Sequence, residues 1–119
     1  YVLDIHRDAV FSSDMTLVAP ISPDGVAQIM LVCGTDEMGA DFPDWEENLS
    51  FALALQSAAH TKYPSMMRNI NLRSASFNEQ LASRYLLVEV GSAGNTLESA
   101  KEAGRRFAEG FAGVIGSGR

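Results

Sequence analysis

The chain has 119 residues, 46% of them hydrophobic and 20% charged, which suits one globular domain with a single core and argues against disorder. Its formal net charge of -6 opposes attraction to phosphate backbones, and no Lys/Arg cluster with interleaved aromatics occurs, so a nucleic-acid partner is excluded as an expectation. A single cysteine, Cys33, rules out an internal disulfide and a cysteine-rich zinc ribbon.

The sequence opens on Tyr1 and passes at once into an apolar segment without a charged leader or cleavage site, so it reads as a piece of a longer protein. Residues 1–7 (YVLDIHR) mix β-branched and aromatic residues and are expected to form a strand. Residues 26–33 (VAQIMLVC) form a near-continuous apolar run, as in a strand buried on both faces. Pro20, Pro23, Asp24 and Gly25 predict a turn between them. Neither this run nor the one at 85–88 approaches the roughly 20 residues that span a bilayer, so no membrane segment is expected.

From residue 43 to about 61 the spacing of Trp45, Leu49, Ala52, Leu53 and Ala59 predicts a helix. Pro43 suits its first turn, and Asp44, Glu46 and Glu47 place negative charge at the positive end of its dipole. A short extended segment is expected over 69–73, and residues 85–90 (YLLVEV) form the clearest buried strand. After a glycine turn, Asn95 stands three residues before Glu98, the spacing of a capping box. Leu97, Ala100, Gly104, Phe107, Phe111 and Val114 then recur with helical period. Strands alternating with helices predict an α/β fold with a mostly parallel sheet flanked by helices.

Two constellations can carry chemistry. Asp4, His6 and Asp8 project from one face of an extended strand, and a carboxylate beside an imidazole is the arrangement that orients a metal-binding histidine. The bland alternative is a surface histidine with acidic neighbours. Glu89 is an ionisable residue inside an apolar run and at the C-terminal end of its strand, where open α/β sheets place their sites. A buried carboxylate demands a partner, a proton or a metal, and its structural alternative is an ion pair with Arg7 or Arg73. His60, near a helix end, reads as a C-terminal cap rather than a ligand.

Other schemes fare worse. Ser92 lacks the Gly-x-Ser-x-Gly spacing of a nucleophile elbow. Cys33 sits mid-strand with no nearby cation and reads as an inert thiol. No phosphate-binding loop is present.

Three segments, VLDIHRDAV at 2–10, NLSFALAL at 48–55, and FNEQ with LLVEVGSAGNTLESA within 77–100, together resemble the stage II sporulation protein P family of cell-wall amidases. Gly34-Thr35, Trp45, Tyr63-Pro64 and Arg68 are smaller matches. The resemblance implies a zinc amidase-like domain that is incomplete at its N-terminus, with residues 1–119 forming a partial amidase catalytic domain. By the same resemblance His6 matches the second histidine ligand of a zinc ion, Glu89 the catalytic glutamate, and Arg7 and Asn78 shape the substrate site. The family's first histidine and its glutamate ligand are expected upstream of Tyr1, so the isolated polypeptide is expected to be inactive.

The implied reaction is hydrolysis of the amide between N-acetylmuramic acid and L-alanine in peptidoglycan, with cleavage of peptide cross-links as a further activity. The implied partner is a glycan-cleaving enzyme. The implied location is outside the cytoplasmic membrane during spore engulfment, membrane-associated through a missing N-terminal segment. On residues alone, Arg7 reads equally as an ion-pair partner and Asn78 as a turn former. The missing ligands also motivate a reading of another class, a non-catalytic peptidoglycan-binding or scaffolding module.

Overall fold

The structure, a computed structural model, describes residues 1–118. Its strands are β1 (Val2–Asp8), β2 (Ile29–Cys33), β3 (Asn71–Leu72) and β4 (Tyr85–Ser92), and its helices are α1 (Trp45–Lys62) and α2 (Leu97–Gly116). A single 3-10 turn covers Glu79–Leu81. The strands form one four-stranded sheet in the order β1-β4-β2-β3.

The α/β expectation holds, but the sheet is mixed rather than mostly parallel. β1 pairs with β4 and β2 with β3 in parallel, whereas β2 and β4 run antiparallel. The cause lies in the connections. Helix α1 gives β2 a full crossover to β3, while the segment leading from β3 to β4 contains only one 3-10 turn, too little for the helical return that a parallel neighbour requires.

Alternation along the strands sorts the two faces. Ile29, Leu31 and Cys33 on β2 and Leu86, Val88 and Val90 on β4 join Phe51, Ala52, Leu55 and Ala59 of α1 and Ala103, Phe107 and Val114 of α2 in one core. The two helices pack on each other and on β4, so both lie on this face. The odd-numbered residues Leu87 and Glu89 of β4, with Met30 and Val32 of β2, face the opposite side and line a cavity. Val32 and Leu87 are buried there too, as expected of strands covered on both faces, and the cavity opens where Met30 and Glu89 are only partly covered.

Each helix buries a slightly different stripe from the one its sequence suggests. In α1 the buried residues are Asn48, Phe51, Ala52, Leu55 and Ala59, and Leu53 is exposed. Asn48 is buried because its amide brackets the start of β4, donating to Tyr85 O at 2.8 Å and accepting from Tyr85 N at 3.1 Å. Helix α2 is capped by Thr96, whose side chain accepts from Ser99 N, rather than by Asn95. The Asn95 amide is committed elsewhere: it accepts from Ser92 N at 2.7 Å and donates to Pro20 O at 3.3 Å.

Candidate functional site

β1 is an edge strand whose only neighbour is β4. Their parallel register sets His6 beside Glu89, and residues side by side in a ladder point to the same face. Beyond them the register shifts, so that Asp8 meets Ser92 and β4 carries the extra residue of a bulge. Gly91 makes this possible. Its φ is +68°, and a β-carbon there would lie 2.8 Å from Asn95 Oδ1, so only glycine fits.

The bulge brings Asp8 and Glu89 to one cavity of about 360 Å³ on the open face of the sheet. Met30, Val32 and Leu87 also line it, together with Val10 and Phe11 from the loop after β1 and Arg68, Asn71, Arg73 and Phe77 from around β3. Asp8 Oδ2 accepts from Arg68 Nη1 at 3.0 Å, a partly buried ion pair. Arg68 is itself held by its backbone, whose N–H donates to Ile29 O at 2.7 Å, and by Gln56 Nε2, which donates to its carbonyl at 2.8 Å.

Glu89 has no ion-pair partner in Arg7 or Arg73; its Oε2 is buried and makes no hydrogen bond among the described residues. Burial pushes its carboxyl above the ordinary carboxylate range, Asp8 adds to the push, and His6 and Arg68 oppose it. An orphaned, desolvated carboxyl of this kind is suited to hold or exchange a proton. His6 Nε2 faces Asp4 Oδ1 at 3.0 Å. Because an ionised carboxylate only accepts, that ring nitrogen carries the proton in the neutral imidazole and Nδ1 keeps its lone pair.

His6, although beside Glu89 in the register, is not among the residues that line the cavity, and neither are Arg7, Asn78, His60 and Cys33. Arg7 Nη2 donates to the carbonyls of Ser92 at 2.8 Å and Asn95 at 2.6 Å, tying β1 to the turn before α2. Asn78 is exposed, with φ of 64° in the left-handed region ahead of the 3-10 turn. His60 is exposed in the last turn of α1, as a C-terminal cation should be. Cys33 is buried, and burial and then Glu79 push its thiol up to about 12, so it is inert.

Sequence reasoning named Arg73 only as an ion-pair alternative for Glu89, and Phe77 and Glu79 only within the FNEQ match. Glu79 is fully buried and bonds backbone amides of both β2 and β4 flanks; no periodicity marks it, because it sits in a single 3-10 turn. No group of three His, Cys, Asp or Glu side chains able to hold a metal occurs among the described residues. A catalytic zinc takes three protein ligands, so the donors of this chain do not by themselves fit one.

A family model described as "Stage II sporulation protein P (SpoIIP)" matches residues 1–112. The chain is also similar to "Stage II sporulation protein P" of Bacillus subtilis (strain 168), with 29% identity over 116 residues, 93% of this chain and 27% of that protein. It thus spans about a quarter of the length of that relative. No solved structure matches it. None of its helices, among the described residues, is long and apolar enough to cross a membrane. With residues 1–112 matched to the family model, the chain belongs to the stage II sporulation protein P family.

Proposed function

We propose that this chain supplies the catalytic carboxylate and one metal ligand of a zinc-dependent N-acetylmuramoyl-L-alanine amidase acting on peptidoglycan. The observation that carries the reading is Glu89, a desolvated carboxyl with one unpartnered oxygen, set beside His6 in the sheet register and lining a cavity of about 360 Å³. A carboxyl whose burial favours the protonated form can pass a proton to a departing amine nitrogen, and once ionised it can accept one from an incoming water. Family membership supports a sporulation-related role at the cell wall.

In this reading the ligands that complete the zinc site lie outside these 119 residues, and His6 Nδ1 is the donor contributed here. Cleavage of peptide cross-links, a glycan-cleaving partner enzyme and a location outside the cytoplasmic membrane belong to the same proposal. The test uses the full-length protein on purified peptidoglycan. Release of stem peptides, stoichiometric zinc, and a loss of about 10²-fold or more in Glu89→Gln with the fold preserved are expected. Full activity in Glu89→Gln would end the assignment.

A second reading, a non-catalytic wall-binding module, is favoured by the lack of a three-donor metal group among the described residues. It predicts a full-length protein that binds peptidoglycan, carries no zinc and releases nothing.

A further inference from the structure

Of the two arginines that line the cavity, only Arg68 makes an ion pair among the described residues. Asp8 is engaged by Arg68, but Arg73 has no ion-pair partner among the described residues; its guanidinium lies 5.6 Å from the centre of the Phe77 ring. A guanidinium laid over an aromatic ring keeps its fork of N–H donors free for a carboxylate.

The segment that carries the pair is fixed rather than loose. Arg73 N–H donates to Cys33 O at 2.8 Å, Thr35 N–H to Ala75 O at 3.2 Å and Met38 N–H to Ser74 O at 3.3 Å. Gly34 lets it approach: a β-carbon there would lie 2.5 Å from Ala75 O. Phe77 itself adopts φ of 52°, a left-handed conformation that a bulky side chain keeps only where the surroundings impose it. Arg73 follows β3 directly and so lies two strands from β4 and Glu89. The register sets Arg73 just beyond Leu72, the partner of Cys33, whereas Glu89 pairs with Met30, so to roughly 4.8 Å per strand across the sheet is added a step of about four residues along it at roughly 3.3 Å each, an offset on the order of 16 Å between the two backbones.

We propose that Arg73, held over Phe77, is the carboxylate-binding residue of this cleft and anchors an acidic group on the peptide arm of the ligand, several residues from the bond that faces Glu89. The anchor rests on the amidase reading for the identity of that bond, but its charge preference does not.

The experiment uses the full-length protein with soluble disaccharide peptides whose stem carboxylate is either free or amidated. Binding is measured in the Glu89→Gln background and turnover in the otherwise unaltered protein. Arg73→Gln should weaken binding and raise KM by about tenfold to a hundredfold for the free-carboxylate peptide, with kcat nearly unchanged and little effect on the amidated peptide. Arg73→Lys, which keeps the charge but not the fork, should recover part of the loss. Equal losses on both peptides, or none on either, would overturn the anchor. If the unaltered protein hydrolyses neither peptide while Arg73→Gln still weakens binding of the free-carboxylate peptide alone, the anchor stands and the amidase reading falls.

Discussion

Glu79 Oε2 accepts the backbone N–H of Gly34 at 2.5 Å, just past the end of β2. Its other oxygen accepts from Leu87 N in β4 at 3.3 Å, so one buried carboxyl closes the gap where β2 and β4 part. Removing it strands two buried donors, each worth about 1–3 kcal/mol if left unsatisfied. Glu79→Ala is therefore expected to cost on the order of 3 kcal/mol, read as a lower denaturation midpoint with unchanged m-value. A midpoint within the error of the parent chain would show that water or a neighbour replaces the carboxyl.

The same group gives stability a pH dependence. Burial raises Glu79 from 4.5 to about 7, against the pull of the Gly34 and Leu87 amides. A carboxyl raised on folding contributes stability that is fully present below 4.5 and is lost as pH climbs through about 7. At about 1.36 kcal/mol per pH unit the interval amounts to at most about 3 kcal/mol. Urea denaturation at pH 5 and pH 8 should show the chain more stable at pH 5, and Glu79→Gln should remove most of that difference. A slope of opposite sign in the parent chain would contradict the assignment.

How much of this was legible in the sequence differs residue by residue. Glu89 announces itself as the one ionisable group in an apolar run, and α2 is marked by the spacing of Ala100, Phe107 and Val114. Its cap was misplaced by one residue because the Asn95 amide is taken by Ser92 and Pro20, partners that local spacing does not reveal. Leu97 fits the apolar period yet is exposed, lining a surface groove with Ile5 and Arg7 of the edge strand β1. Arg68, Arg73 and Phe77 reach the cavity from the irregular segments on either side of a two-residue strand, whose place is set by hydrogen bonds to β2 and by Gly34. Tertiary contacts of that kind leave no periodic trace.

Glu89→Gln tests the cost of the candidate site to the fold. The carboxyl is raised chiefly by burial and then by Asp8, so its ionised form destabilises the folded chain as pH rises above the ordinary carboxylate range. The amide variant carries no such charge. It should match the parent at pH 5 and exceed it at pH 8 by less than about 1 kcal/mol, a figure discounted for solvent screening of a partly exposed group. A variant less stable than the parent at both pH values would mean that the carboxylate is a structural partner rather than a strained functional group.

Cys33 lies in the core between the sheet and α1 with no exposed surface, and its thiol is pushed up to about 12. Only the thiolate reacts with disulfide reagents. Labelling in native buffer is expected to be slower than that of a free thiol by several orders of magnitude and to follow global unfolding as denaturant is added. Fast labelling of the native protein would place the residue in a segment that opens locally.

Arg7 offers the sharpest separation between a fold role and a substrate role. Both of its contacts, to Ser92 O at 2.8 Å and Asn95 O at 2.6 Å, go to carbonyls of the turn that Ala93 also pins by donating to Asp8 O at 2.7 Å. Hydrogen bonds from a charged donor contribute about 1.5–3 kcal/mol each when partly buried, and the two act on one turn, so Arg7→Ala should cost about 2–4 kcal/mol. Both bonds leave the single nitrogen Nη2, so one ammonium can serve both carbonyls and Arg7→Lys should recover part of the loss, limited by the shorter lysine stem. Denaturation midpoints and KM on the same peptidoglycan fragments decide the matter. If Arg7 positions the turn, the midpoint falls and KM stays within about threefold under conditions where the variant is folded; an unchanged midpoint with a raised KM would instead assign the guanidinium to the ligand.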